Sequence, residues 1–356
     1  WGEAVVVSGT PTLTLSNGGT ASYASGTGST ALVFSTVIAE GDTASADLSV
    51  SSFSGTITDA AGGAAGAASG DLGAVTVDGA VPVFSSVAAN DATYKIGDTI
   101  SITVTWDEAV VVSGTPTLTL SNGDTATYAS GTGNAALVFS TVVAEDDTAS
   151  SDLSVSSYSG TITDAAGGAA AAASGDLGAV IVDADDPDMT GCAATDAAYG
   201  VGELLTITCT FDEAVTVTGT PTVTLSNSDV ASYVSGSGSA NIVFTTTIAE
   251  GDSTSADLAV SSIQPTAGGA TMKDAAGNAL DTTVTAGDLG TVTVDGAVPV
   301  FSSVAATDGA YGVGETLSIT VTWGEAVVVS GTPTLTLSNG DTASYASGTG
   351  STALVF

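Results

Sequence analysis

Trp1-Gly2-Glu3-Ala4-Val5-Val6-Val7-Ser8-Gly9-Thr10-Pro11-Thr12-Leu13-Thr14-Leu15 recurs, with small changes, from Trp106, Phe211 and Trp323. The spacings are 105, 105 and 112 residues. Leucine alternates with threonine at its end, the period-two pattern of a strand with one buried face. A repeat near 105 residues is too long for a solenoid turn but fits one Greek-key sandwich domain. The decisive reading is therefore all-β, a tandem array of immunoglobulin-like Greek-key β-sandwich domains.

The junctions repeat as well. Val77-Asp78-Gly79-Ala80-Val81-Pro82-Val83 returns as Val182-Asp183-Ala184-Asp185-Asp186-Pro187-Asp188 and as Val294-Asp295-Gly296-Ala297-Val298-Pro299-Val300. These landmarks divide the chain into a partial module at 1–78 that lacks the first strands, complete modules at 79–183 and 184–295, and a partial module at 296–356. The third module carries a seven-residue insertion in the loop around Gln264 to Thr283. Residues 1–34 and 323–356 differ only at Gly19 versus Asp341. That near-identity points to a three-module unit of 322 residues beginning again at Trp323, within a longer repetitive parent chain.

Composition narrows the function. The 356 residues include 38 acidic side chains, two basic ones (Lys95 and Lys273) and no histidine, for a formal net charge of -36. Nothing here can neutralise phosphates, so nucleic acid and anionic membrane surfaces are excluded as partners. Such self-repulsion calls for a cation-rich medium. Apolar residues make up 43% of the chain, enough to build cores despite the charge. No apolar run approaches the length of a membrane span, so no direct membrane insertion is expected of this segment. Without histidine there is no imidazole base, and carboxylates that recur in every module argue for architecture rather than hydrolysis. The chain is expected not to be an enzyme.

In the second module the pattern predicts strands at Val81–Val87, Ile100–Trp106, Pro116–Leu120, Ala126–Ser130, Ala136–Val143, Leu153–Ile162 and Leu177–Val182. A turn is expected at 94–98 and a tight one at Asn122-Gly123. Trp106 reads as a core plug between sheets. Cys192 and Cys209 align with Val87 and Val104, inward positions on neighbouring strands, and are expected to pair as a disulfide suited to an exported protein.

The acids fall into recurring sets. Glu108 and Glu213 follow the aromatic end of the second strand; Asp164 and Asp274 sit in Asp-Ala-Ala-Gly turns; Asp78, Asp183 and Asp295 mark junctions. In a sandwich these sets can meet near one pole, and an oxygen-only cluster suits Ca²⁺, which takes six to eight such ligands. Asp185, Asp186 and Asp188, crowded around Pro187, make the second junction the expected best site.

The pattern Tyr94-x-Ile96-Gly97-Asp98, Trp106-Asp107-Glu108-Ala109-Val110, Gly114-Thr115-Pro116-Thr117-Leu118, Tyr128-x-Ser130-Gly131-x-Gly133 and Ile162-Thr163-Asp164-Ala165-Ala166-Gly167 resembles the Ig-like repeats of very large microbial surface proteins and adhesins. The resemblance covers essentially the whole chain. It implies rigid extender modules with structural Ca²⁺ at the junctions, with Glu108, Asp164 and Asp183 as ligands and Glu213, Asp274 and Asp295 corresponding in the next copy. The chain departs from the pattern at Gly168, where Asn278 keeps the commoner asparagine.

The expected function is thus a structural extender or filament component, extracellular or at a cell surface, working by self-association or through other surface proteins and glycans. The alternatives are an adhesin binding surface glycans or sister chains, and the accessory region of a secreted polysaccharide-active enzyme.

Overall fold

The computed structural model describes residues 1–283 and 287–356. It is all-β, with several sheets in sandwich- or barrel-like arrangements. The one helical element among the described residues is a 3₁₀ turn at Ala267–Gly269. No helix there is long and apolar enough to cross a membrane. The chain divides into two compact units, Trp1–Asp185 and Asp186–Phe356.

In the first unit the central element is a 22-residue strand, Thr99–Leu120. Period-two alternation over Ile100, Ile102, Val104 and Trp106 turns one face inward, and all four side chains are buried. The first half of the strand pairs with Phe84–Ala88 and Asn134–Val142, while the second half pairs with Ser154–Thr163 and Thr125–Ser130. One strand thereby serves two layers. Sequence pattern alone splits it at Gly114-Thr115-Pro116, but Gly114, at φ +74°, carries the backbone through the irregularity without ending the strand. A short parallel pair, Val180–Asp183 with Ala92–Lys95, brings the end of the module back to its start, so Tyr94 and Lys95 are strand and the turn begins at Ile96.

The core of this module gathers Trp106, Phe139, Leu118, Leu137 and Leu153 with aliphatic neighbours out to Ala184. Trp106 is 1% exposed and meets Tyr158 edge-on, at 6.3 Å between ring centroids. Residues 1–78 form a five-stranded antiparallel sheet with a small core of Leu15, Leu48 and Val77.

The second unit repeats the plan around Leu204–Thr218 and a core running from Met189 to Val294. Cys192 faces Cys209 across the pair Met189–Ala194 and Leu204–Thr218, and the two form a disulfide. Val87 faces Val104 in the same register in the first unit. The inserted residues are split rather than contiguous. Asp164 and Asp274 stand 110 apart and Asp176 and Asp288 stand 112 apart, so five of the residues precede the Asp274 turn and two follow it. The first five interrupt the strand equivalent to Ser154–Thr163, leaving Val260–Gln264 and Thr271–Lys273 on either side of the 3₁₀ turn.

Candidate metal centre

Three segments of the first unit converge at the pole of the second module. Trp106 donates its indole N–H to the carbonyl of Ala171 at 3.2 Å, and the amide of Ala171 donates to the carbonyl of Pro82 at 2.8 Å. The core tryptophan thus fixes the loop after Asp164, and that loop fixes the incoming linker. Glu108 lies two residues beyond Trp106 on the same strand, Asp164 follows the strand Ser154–Thr163, and Asp78 lies in the linker.

As a result, one carboxylate oxygen from each of Asp78, Glu108 and Asp164 lies within 4.8 Å of the others. Asp78 is exposed, Glu108 half-buried and Asp164 buried at 3% exposure. This is the one such trio among the described residues. Asp164 is held rigidly. Its Oδ1 accepts the backbone N–H groups of Ala166, Gly167 and Gly168 at 2.7–2.8 Å, and its own amide donates to the carbonyl of Gly168. Its Oδ2 is fully buried and has no hydrogen-bond partner.

That orphaned oxygen gives the cluster chemical direction. A buried carboxylate oxygen without a donor costs on the order of 1–3 kcal/mol, more when the group is charged. Two further carboxylates add repulsion. The carboxyl of Glu108 is pushed above the usual range by burial first, then by the charges of Asp164, Asp78 and Asp107. A cation at the trio reverses each of these penalties. The donors are all hard oxygens; the chain has no histidine, and both cysteines are in the disulfide. The set therefore fits Ca²⁺ or Mg²⁺ rather than a thiophilic metal, and the three carboxylates leave room for the larger coordination number of Ca²⁺. A cleft of roughly 270 Å³, lined in part by Glu40, Asp78, Ala80 and Gly168, lies beside the group.

The grouping differs from the sequence expectation in one respect. Glu108 and Asp164 do come together, but with Asp78, the acid leading into the module, and not with Asp183, the acid leading out. Asp183 ends the strand Val180–Asp183, in parallel register with Lys95. The reason lies in the Ala171–Pro82 hydrogen bond, which draws the incoming linker onto the Asp164 loop. Reading the linker as the start of the following module would have found Asp78.

Among the described residues, the remaining expected ligands belong to no such trio. Asp274 is buried in its own turn, Glu213 is half-buried on Leu204–Thr218, and the Oδ1 of Asp295 accepts the amide of Ala297. Asp185 is exposed and Asp186 half-buried. Near Pro187, the amide of Asp188 donates to Asp212 Oδ1. Partial desolvation raises the Asp188 carboxyl above its usual range, and the nearby charges of Asp212 and Asp281 add to the rise.

Compared with known proteins, the chain matches no family model and no curated protein.

Proposed function

We propose that this chain is part of an extracellular structural extender, built from immunoglobulin-like Greek-key modules and stiffened at its joints by calcium. The observation that carries this reading is the trio itself. Asp78 is a linker residue, while Glu108 and Asp164 belong to the body of the following module, so one ion at this place ties a joint to a domain. Repetition supports it. Near-identical modules add length and stiffness rather than separate specificities. The disulfide between Cys192 and Cys209 suits an oxidising compartment. The charge of -36 suits a medium rich in cations.

The reading is tested by thermal unfolding in calcium and in EDTA at fixed ionic strength. A ligand at a hundred times its Kd adds about 2.7 kcal/mol to the state that binds it. The first unit is expected to melt several degrees higher in calcium, with magnesium giving a smaller shift. An identical midpoint in calcium and EDTA would remove the basis of the proposal.

A further inference from the structure

The Asp-Ala-Ala-Gly turn occurs in three modules and ends in two ways. In Asp59-Ala60-Ala61-Gly62-Gly63 and Asp164-Ala165-Ala166-Gly167-Gly168 the last residue is glycine; in Asp274-Ala275-Ala276-Gly277-Asn278 it is asparagine. The backbone of the turn is otherwise shared. The aspartate Oδ1 accepts the amide of the fifth residue at 2.8 Å in all three, and the aspartate amide donates to the carbonyl of that residue. What differs is Oδ2. Asn278 Nδ2 donates to Asp274 Oδ2 at 2.7 Å, within a pair that is 4% and 3% exposed. Gly168 has no side chain to donate, and Asp164 Oδ2 is left buried without a partner, in the residue that gathers with Asp78 and Glu108.

From this we infer that the residue at the Gly168/Asn278 position decides whether a module's aspartate turn takes a divalent cation. The inference rests on reading Asp78, Glu108 and Asp164 as a cation centre, and adds the device that restricts it. Asparagine closes the cup with its own amide, a permanent donor that does for Oδ2 what the ion does in the glycine form. Glycine keeps the cup open. A Cβ at position 168 would fall on Asp164 Oδ2, and would stand 3.1 Å from both Ala80 O and Val81 Cγ1, so any side chain there competes with an ion for the same space. At Gly63 a Cβ would stand 2.7 Å from Asp59 Oδ2, so the turn there has the same shape, but Asp59 is half-buried and belongs to no carboxylate trio among the described residues. Neither Gly168 nor Asn278 has a left-handed backbone, so exchanging the two residues changes the side chain without demanding a forbidden φ.

The test is a reciprocal exchange in the full chain, followed by calcium titration calorimetry and by melting in calcium and in EDTA. Gly168→Asn is expected to raise the calcium Kd of the first unit at least tenfold. Asn278→Gly is expected to lower the EDTA midpoint of the second unit by about 3 °C, because Asp274 Oδ2 loses its donor. Circular dichroism in EDTA checks that each variant is folded; if Gly168→Asn is not, Gly168→Ala, which adds only the Cβ, decides in its place, and an unchanged calcium Kd would overturn the inference. Unchanged calcium affinity in a folded Gly168→Asn would also overturn it while leaving the centre standing. Absence of calcium binding in the parent chain would overturn both.

Discussion

Two turns of nearly the same sequence, at Asp164 in the first unit and Asp274 in the second, solve one electrostatic problem differently. Each buries a carboxylate and satisfies one of its oxygens with backbone amides. The second turn satisfies the other oxygen internally, with the amide of Asn278. The first leaves that oxygen bare in a residue that gathers with two more carboxylates. Their surroundings differ in the same sense. Asp164 follows Thr163 and is clamped through Trp106, whereas Asp274 follows Lys273 in a module whose matching core residue, Phe211, has no N–H to offer. Near-identical modules therefore need not be equivalent. One turn is satisfied within itself, and the other leaves a buried oxygen without a partner.

The most severe way to break this comparison is to remove the clamp. Trp106→Ala empties a fully buried site and should cost about 3–5 kcal/mol in denaturant unfolding of the first unit, with loss of its calcium response. Trp106→Phe, which copies Phe211, should cost less, about 1–2 kcal/mol, most of it from orphaning the Ala171 carbonyl. Reducing Cys192–Cys209, whose positions are 17 residues apart, should remove about 3 kcal/mol from the second unit alone. The first unit, with Val87 and Val104 in that register, should be indifferent to reductant in the same unfolding experiment.

Subtler changes sharpen the contrast. Glu108→Gln removes a carboxylate whose neighbours repel it. Without calcium it should stabilise the first unit slightly, and calorimetry should show calcium binding weakened roughly tenfold or more. A carboxyl raised in the folded state favours folding as pH falls through its raised value, and that contribution is lost as pH rises again. The ion-free first unit should thus gain stability on mild acidification, and Glu108→Gln should flatten that gain. The same sign applies at Asp188 in the second unit. There the effect should be the smallest of all, because the group is exposed, and Asp188→Asn should abolish it in melts between pH 7 and about 4.5.

Much of this was legible in the sequence. Period-two alternation marked the strands around Ile102 and Leu118, and alignment with Val87 and Val104 pointed to the pairing of Cys192 with Cys209. Repetition singled out Glu108 and Asp164. What escaped were features decided by long-range contacts. That Thr99–Leu120 is one strand depends on partners on both layers, which the local signal of Gly114 and Pro116 obscures. That Asp78 rather than Asp183 completes the trio depends on the hydrogen bond between Ala171 and Pro82, 89 residues apart. The crowding of Asp185, Asp186 and Asp188 pointed to the second junction, which falls at the division between the two units. Gly168 was visible as a departure from pattern; its consequence, an unsatisfied buried oxygen, required the turn's geometry.

The central claim is that one module's joint is completed by a cation while the next module's aspartate turn is complete in itself. Hydrogen exchange of the intact chain, with saturating calcium and with EDTA, tests it most directly. The amides of Ala166, Gly167, Gly168 and Ala171, together with linker residues 79–81, should gain protection in calcium, while those of Gly277 and Asn278 should exchange at the same rate in both conditions. Equal protection of both turns by calcium, or no change at either, would contradict the account.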